Sequence, residues 1–157
     1  KKLTLFLLLF LLLCLSCAST QTLERKKAAG DYTVAIYNYD WEKVYDAMKF
    51  VWRHSEDWLI SMTYANYDID YAKEEKKIWI KVAGFGVDMG IFFEPQDKTK
   101  TRVVFVLGGA SGGLGRGMKT RRFIDETHFY LENGEEAYRK YTHEEMIKRK
   151  KARKPAL

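Results

Sequence analysis

The stretch from Asp31 to His54, DYTVAIYNYDWEKVYDAMKFVWRH, changes periodicity half-way along, and that change decides the fold class. Tyr32, Val34 and Ile36 alternate with Thr33, Ala35 and Tyr37, the period of two that belongs to a half-buried strand. Asn38 ends the alternation. Asp40 stands where a helix N-cap is wanted, and Trp41, Val44, Met48, Val51 and Trp52 then recur at helical spacing up to about His54. A strand followed by a helix therefore opens the domain.

Four more apolar runs follow: Trp58 to Ala65, Lys77 to Ala83, Val87 to Glu94 and Thr101 to Leu107. Charged or Gly-containing turns separate them, among them Gln96-Asp97-Lys98-Thr99-Lys100. Connections this short suit antiparallel hairpins, because parallel pairing needs crossovers of about a dozen residues. The glycine-rich stretch Gly108 to Gly117 reads as a surface loop leading into a helix, roughly Met118 to Glu132, which Asn133-Gly134 stops. A last amphipathic segment runs from Glu135 to about Ile147. The order strand, helix, four strands, helix predicts an α+β, two-layer sandwich: an antiparallel sheet of about five strands with helices on one face. With 157 residues, 46% of them hydrophobic, the chain can bury one core, placed here in a single domain over residues 31–147.

Upstream, Lys1-Lys2 precede an apolar run from Leu3 to Leu15, the charged and apolar regions of a secretory signal peptide over residues 1–16. The run is short of the roughly 20 apolar residues a membrane span wants. Leu15-Ser16-Cys17-Ala18-Ser19 resembles the lipobox of bacterial lipoproteins, in which a cysteine is diacylated and becomes the mature N-terminus. That resemblance implies lipidation at Cys17 and membrane lipid as a partner. Cys14 stands where the pattern has leucine; as acceptor it would put bulky Leu13 before the cut, so the small Ser16 favours Cys17. Ala18 in place of aspartate implies the outer membrane, facing the periplasm, by the sorting rule of such lipoproteins. Residues 17–30 read as lipidated N-terminus and polar tether.

The net charge of +6 sits at the ends. Setting aside Lys1, Lys2 and the cluster Lys148, Arg149, Lys150, Lys151, Arg153 and Lys154 removes eight of 27 basic residues and leaves 19 against 21 acidic ones. No nucleic-acid partner is expected of such a body. The cluster, in a basic C-terminal tail over residues 148–157, is read either as a contact for anionic lipid or as a solvated tail. Cys14 and Cys17 are the only cysteines, so cleavage before Cys17 leaves no second thiol for a disulfide or a cysteine metal site.

Gly30-Asp31-Tyr32-Thr33-Val34, the helix around Trp41-Glu42-Lys43-Val44-Tyr45-Asp46-Ala47, and Arg102 to Gly108 followed by Arg121-Arg122-Phe123-Ile124 resemble a pattern found in small bacterial envelope lipoproteins of unknown function. The resemblance covers roughly residues 1–132. It implies location and fold, and no activity.

Catalytic motifs fail in context. Gly109-Ala110-Ser111-Gly112-Gly113 fits a nucleophile elbow, but glycines at 112, 113, 115 and 117 break the helix that must follow, and Asp125 and His128 share one helix. In the same loop Met118 displaces Lys119 from the phosphate-binding position of a Walker motif. His143-Glu144-Glu145-Met146-Ile147 lacks the second histidine of a zinc protease, so no metal and no cofactor is expected. Tyr37, Trp79 and Phe92 fall on the strand parity opposite Ile36, Ile78, Ile80, Ile91 and Phe93. They are read as a ligand or partner face pointing away from the helices, or as a face that the C-terminal helix or a loop covers. The expectation is a non-enzymatic envelope lipoprotein that serves as an interaction or assembly module for an envelope protein partner. A small-ligand-binding periplasmic domain using the aromatic face is the alternative.

Overall fold

In the computed structural model, which describes residues 20–55, 67–82, 86–108 and 114–152, the alternating stretch forms strand β1 (Thr33–Tyr37) and the 3.6-residue pattern forms helix α2 (Trp41–His54). Asp40 caps α2, its Oδ1 accepting from the Lys43 amide at 2.9 Å. Glu42 in the first turn and Arg53 and His54 in the last complement the helix dipole. Before β1 lies helix α1 (Thr20–Ala28); after α2 come β2 (Tyr67–Asp70), β3 (Lys77–Val82), β4 (Gly86–Pro95), β5 (Thr101–Leu107) and helix α3 (Leu114–Ala152).

The five strands form one antiparallel sheet in the order β1-β5-β4-β3-β2. The chain starts at one edge, crosses by way of α2 to the other, and meanders back until β5 lies beside β1. Local chemistry makes the turns. Between β4 and β5 the Asp97 carboxylate accepts from the Thr99 amide at 2.7 Å and hydroxyl at 3.0 Å. Between β2 and β3 Lys76 takes φ 54°. This is the α+β sandwich expected from the element order, with α2 and α3 on the one expected face and α1 on the other.

Strand register sorts the side chains into two faces. On the inner face Ala35, Tyr37, Ile78, Ile80, Met89, Ile91, Phe93, Val103 and Phe105 meet Val44, Tyr45, Met48, Val51 and Trp52 of α2 and Phe123, Leu131 and Tyr138 of α3. On the outer face Trp79, Phe92, Val104 and Val106 form a second cluster around Leu23 of α1.

The helix α3 begins at Leu114, so Gly115 and Gly117, read as loop residues that break a helix, lie inside its first turns. Three further differences from the sequence reading have physical causes. Residues 20–28, read as tether, form a helix that binds the sheet through one fully buried apolar residue, Leu23, too sparse a pattern to register as amphipathic. Strand β2 falls on a charged segment because, of its described side chains, Ile69 alone meets the core, while Asp68 and Asp70 share the outer side of the sheet with Lys81 and Trp79. The strand expected over Trp58–Ala65 lies outside the described residues. Asn133-Gly134 bends α3 rather than ending it, with Gly134 at φ 81° and ψ 179°, so two helical arms follow one another to Ala152.

Candidate interaction surface

The aromatic trio does not form one exposed face. Tyr37 points inward: it pairs with Thr101 of β5, on the face that Ala35 and Val103 share, and its ring stacks on His128 of α3 at 4.2 Å. Burial pushes its phenol far above the usual tyrosine range, against a lowering hydrogen bond with Thr127. Trp79 and Phe92 do share the outer face, edge to face at 5.3 Å, but α1 covers them and they are only 5% and 4% exposed. Parity along β1 tells which residues go together and leaves open which set faces in. Ala35 and Tyr37 face in, so Ile36 faces out.

Trp79 packs against the glycine opposite it, Gly90. A Cβ on Gly90 would come within 2.8 Å of the Trp79 ring and 3.0 Å of the Phe92 ring, so β4 needs glycine there. Helix α1 then closes the site from above. Leu23 supplies the apolar contact, Lys77 donates to Glu24 at 2.8 Å, Lys26 donates to the Leu107 carbonyl at 2.9 Å, and Lys27 sits 4.6 Å over the Phe92 ring. Lys27 also joins Arg102 in pairing with Glu94. Partial burial disfavours the Glu94 charge, but those two hydrogen bonds outweigh it and hold the carboxyl below its usual range. The strongest shift of Lys77 comes from its hydrogen bond to Glu24, which raises it.

What remains open on the outer face is β1. Tyr32, Val34 and Ile36 are 40%, 38% and 43% exposed, and Val34 continues the row made by Val104 and Phe92 beneath α1. The strand lies at the sheet edge, pairs only with β5, and has no charged residue between Tyr32 and Tyr39. The opposite edge, β2, carries Asp68 and Asp70, the usual protection of an edge against further strands. No family model, curated protein or solved structure matches this chain. The sequence shows that β1 is uncharged, but its place at the edge and the outward facing of Tyr32, Val34 and Ile36 come from the strand order and register.

Among the described residues, two hollows bear on whether the fold has a ligand site. One, of about 550 Å³, lies between the start of α2 and the β4–β5 turn, lined by Asp40, Trp41, Lys76 and Gln96 among others. The other, of about 500 Å³, lies at the α3 bend against Lys43, Asp46, Tyr130 and Leu131. Both stand wide open to solvent and neither gathers groups with a shared chemical task. Among the described residues no three His, Cys, Asp or Glu side chains assemble as a metal site, and no helix is long and apolar enough to cross a membrane. Of the basic cluster, Lys148 is exposed and pairs with Glu145 at 2.9 Å; the backbone of Arg149 to Lys151 continues α3. Arg153, Lys154, Cys17, Cys14 and Ser111 lie outside the described residues.

Proposed function

We propose that this chain is an envelope lipoprotein, acylated at Cys17 and facing the periplasm from the outer membrane, that works without catalysis by docking a protein partner on the β1 edge. The partner would add an extended, apolar segment to β1, so that main-chain hydrogen bonds give affinity and Tyr32, Val34 and Ile36 give selectivity. One observation carries this reading: β1 is an edge strand with no charged residue of its own from Tyr32 to Tyr39, and its three outward side chains, with only the Arg102 guanidinium of β5 over the Tyr32 ring among the described contacts, are the exposed remainder of an apolar face. The leader and lipobox supply the location, and the basic end of α3 adds attraction to anionic lipid.

A photo-crosslinking side chain at Ile36 tests the docking surface, with the same probe at Asp68 on the other edge as control. In envelope membranes the Ile36 probe should give a discrete protein adduct that Val34→Lys abolishes. Equal adducts from both edges, or an adduct indifferent to Val34→Lys, would remove β1 as the surface.

A further inference from the structure

We infer that α1 is a rigid mount that fixes the domain against the bilayer surface instead of a tether that lets it roam. The inference rests on acylation at Cys17. From Cys17 to the first residue of α1, Thr20, there are three residue steps, at most about 11 Å of extended chain. A free tether from 18 to 30 would reach about 45 Å.

The mount is held at several points that differ in chemistry. Leu23 is fully buried between Trp79, Phe92, Val104 and Val106. Glu24, Lys26 and Lys27 reach three separate strands: Lys77 on β3, the Leu107 carbonyl on β5 and Glu94 on β4. The join to β1 is short as well, since the Ala29 and Asp31 amides donate back to the Arg25 and Lys26 carbonyls at 2.9 and 3.0 Å, with Gly30 at φ 83° making the turn. A nine-residue helix does not persist alone in water, so α1 is helical because it is docked. The interaction surface is thereby held close to the lipid headgroups, and the partner must present its segment at the membrane and not far across the periplasm.

Arg25, Lys26 and Lys27 turn this into a measurement, because trypsin cuts after each in a mobile tether and spares them in a docked helix. The full-length lipoprotein, reconstituted in phosphatidylethanolamine–phosphatidylglycerol vesicles and shown by intact mass to carry its acyl chains, is digested briefly and the released fragments are weighed. Fragments beginning at Lys26, Lys27 or Ala28 should appear about ten-fold or more slowly than from Leu23→Asp, the factor that loss of one buried leucine implies for a local opening. Cleavage of the wild type there as fast as of a synthetic 18–32 peptide overturns the mount. That peptide comparison decides the matter alone if Leu23→Asp fails to fold by near-ultraviolet circular dichroism. A protein without acyl chains instead overturns the cysteine reading, and protection of residues 25–27 in it would still report the docking separately.

Discussion

The hydroxyl of Tyr138 donates to Oε2 of Glu126 at 2.8 Å, joining the two arms of α3 across the bend at Gly134. Glu126 is 2% exposed, and its other oxygen accepts from Arg122 Nε at 2.7 Å, so a buried carboxylate is satisfied from both sides. Tyr138→Phe removes one donor and keeps the packing. It should lower stability by about 1–2 kcal/mol, read as a lower urea midpoint with an unchanged slope. An unchanged midpoint would mean the bend is set by packing alone.

The close approach of Trp79 to Gly90 gives a second expectation. Gly90→Ala must push the Trp79 and Phe92 rings off the sheet beneath α1, at a cost of about 1–3 kcal/mol for overpacking. Gly134 has nothing within 4 Å and owes its glycine to φ 81° alone. With ψ at 179° that backbone lies where essentially only glycine goes, so Gly134→Ala and Gly134→Asn should each lose about 1–3 kcal/mol to strain whatever the side chain's size, whereas Gly90→Asn is worse than Gly90→Ala. Thermal melting of the four proteins distinguishes a steric need from a conformational one.

Buried phenols predict the alkaline limit of stability. Burial is the leading cause that raises Tyr37 and Tyr138, and the nearby Glu126 charge raises Tyr138 further. A raised folded-state value contributes stability that is complete below the unfolded tyrosine value near 10 and is lost as the pH climbs above it. Tyrosinate absorbance should therefore show a class of phenols that ionises only together with the loss of circular dichroism above pH 10. Smooth titration of all ten tyrosines before unfolding would contradict the buried placement.

Acid acts on α1 through Glu94. Its folded-state value lies below the usual one, so the stabilisation is present above pH about 4.5 and fades as the pH falls through the lower folded value. Glu94→Gln should remove less than about 1 kcal/mol at neutral pH, since the side chain keeps some contact with water. It should also flatten the stability change between pH 5 and 3. An unaltered acid profile would show that Lys27 and Arg102 do not restrain this carboxylate.

The sequence revealed what local periodicity encodes and hid what depends on distant neighbours. Helix α2 and strand β5 could be read from their own residues, since an N-cap with helical spacing and the apolar run Val103 to Leu107 each need no partner to be recognised. The outer location of Trp79 and Phe92 was legible in strand parity. Their cover was not, because α1 shows only Leu23 among eight other residues that are polar or small. Tyr37 was misplaced for a related reason: both faces of β1 are apolar, and the choice between them is made by His128 and Thr127, some ninety residues away in sequence. The bare strip of Tyr32, Val34 and Ile36 followed only once that choice was known.

The proposed function stands on Cys17 being the acylated residue. Intact-mass measurement of the expressed protein, with and without Cys17→Ser, addresses it directly. The wild type should begin at Cys17 and carry the added mass of its acyl chains, and the variant should lack them and leave the membrane fraction. A wild-type mature chain of unmodified mass would contradict it.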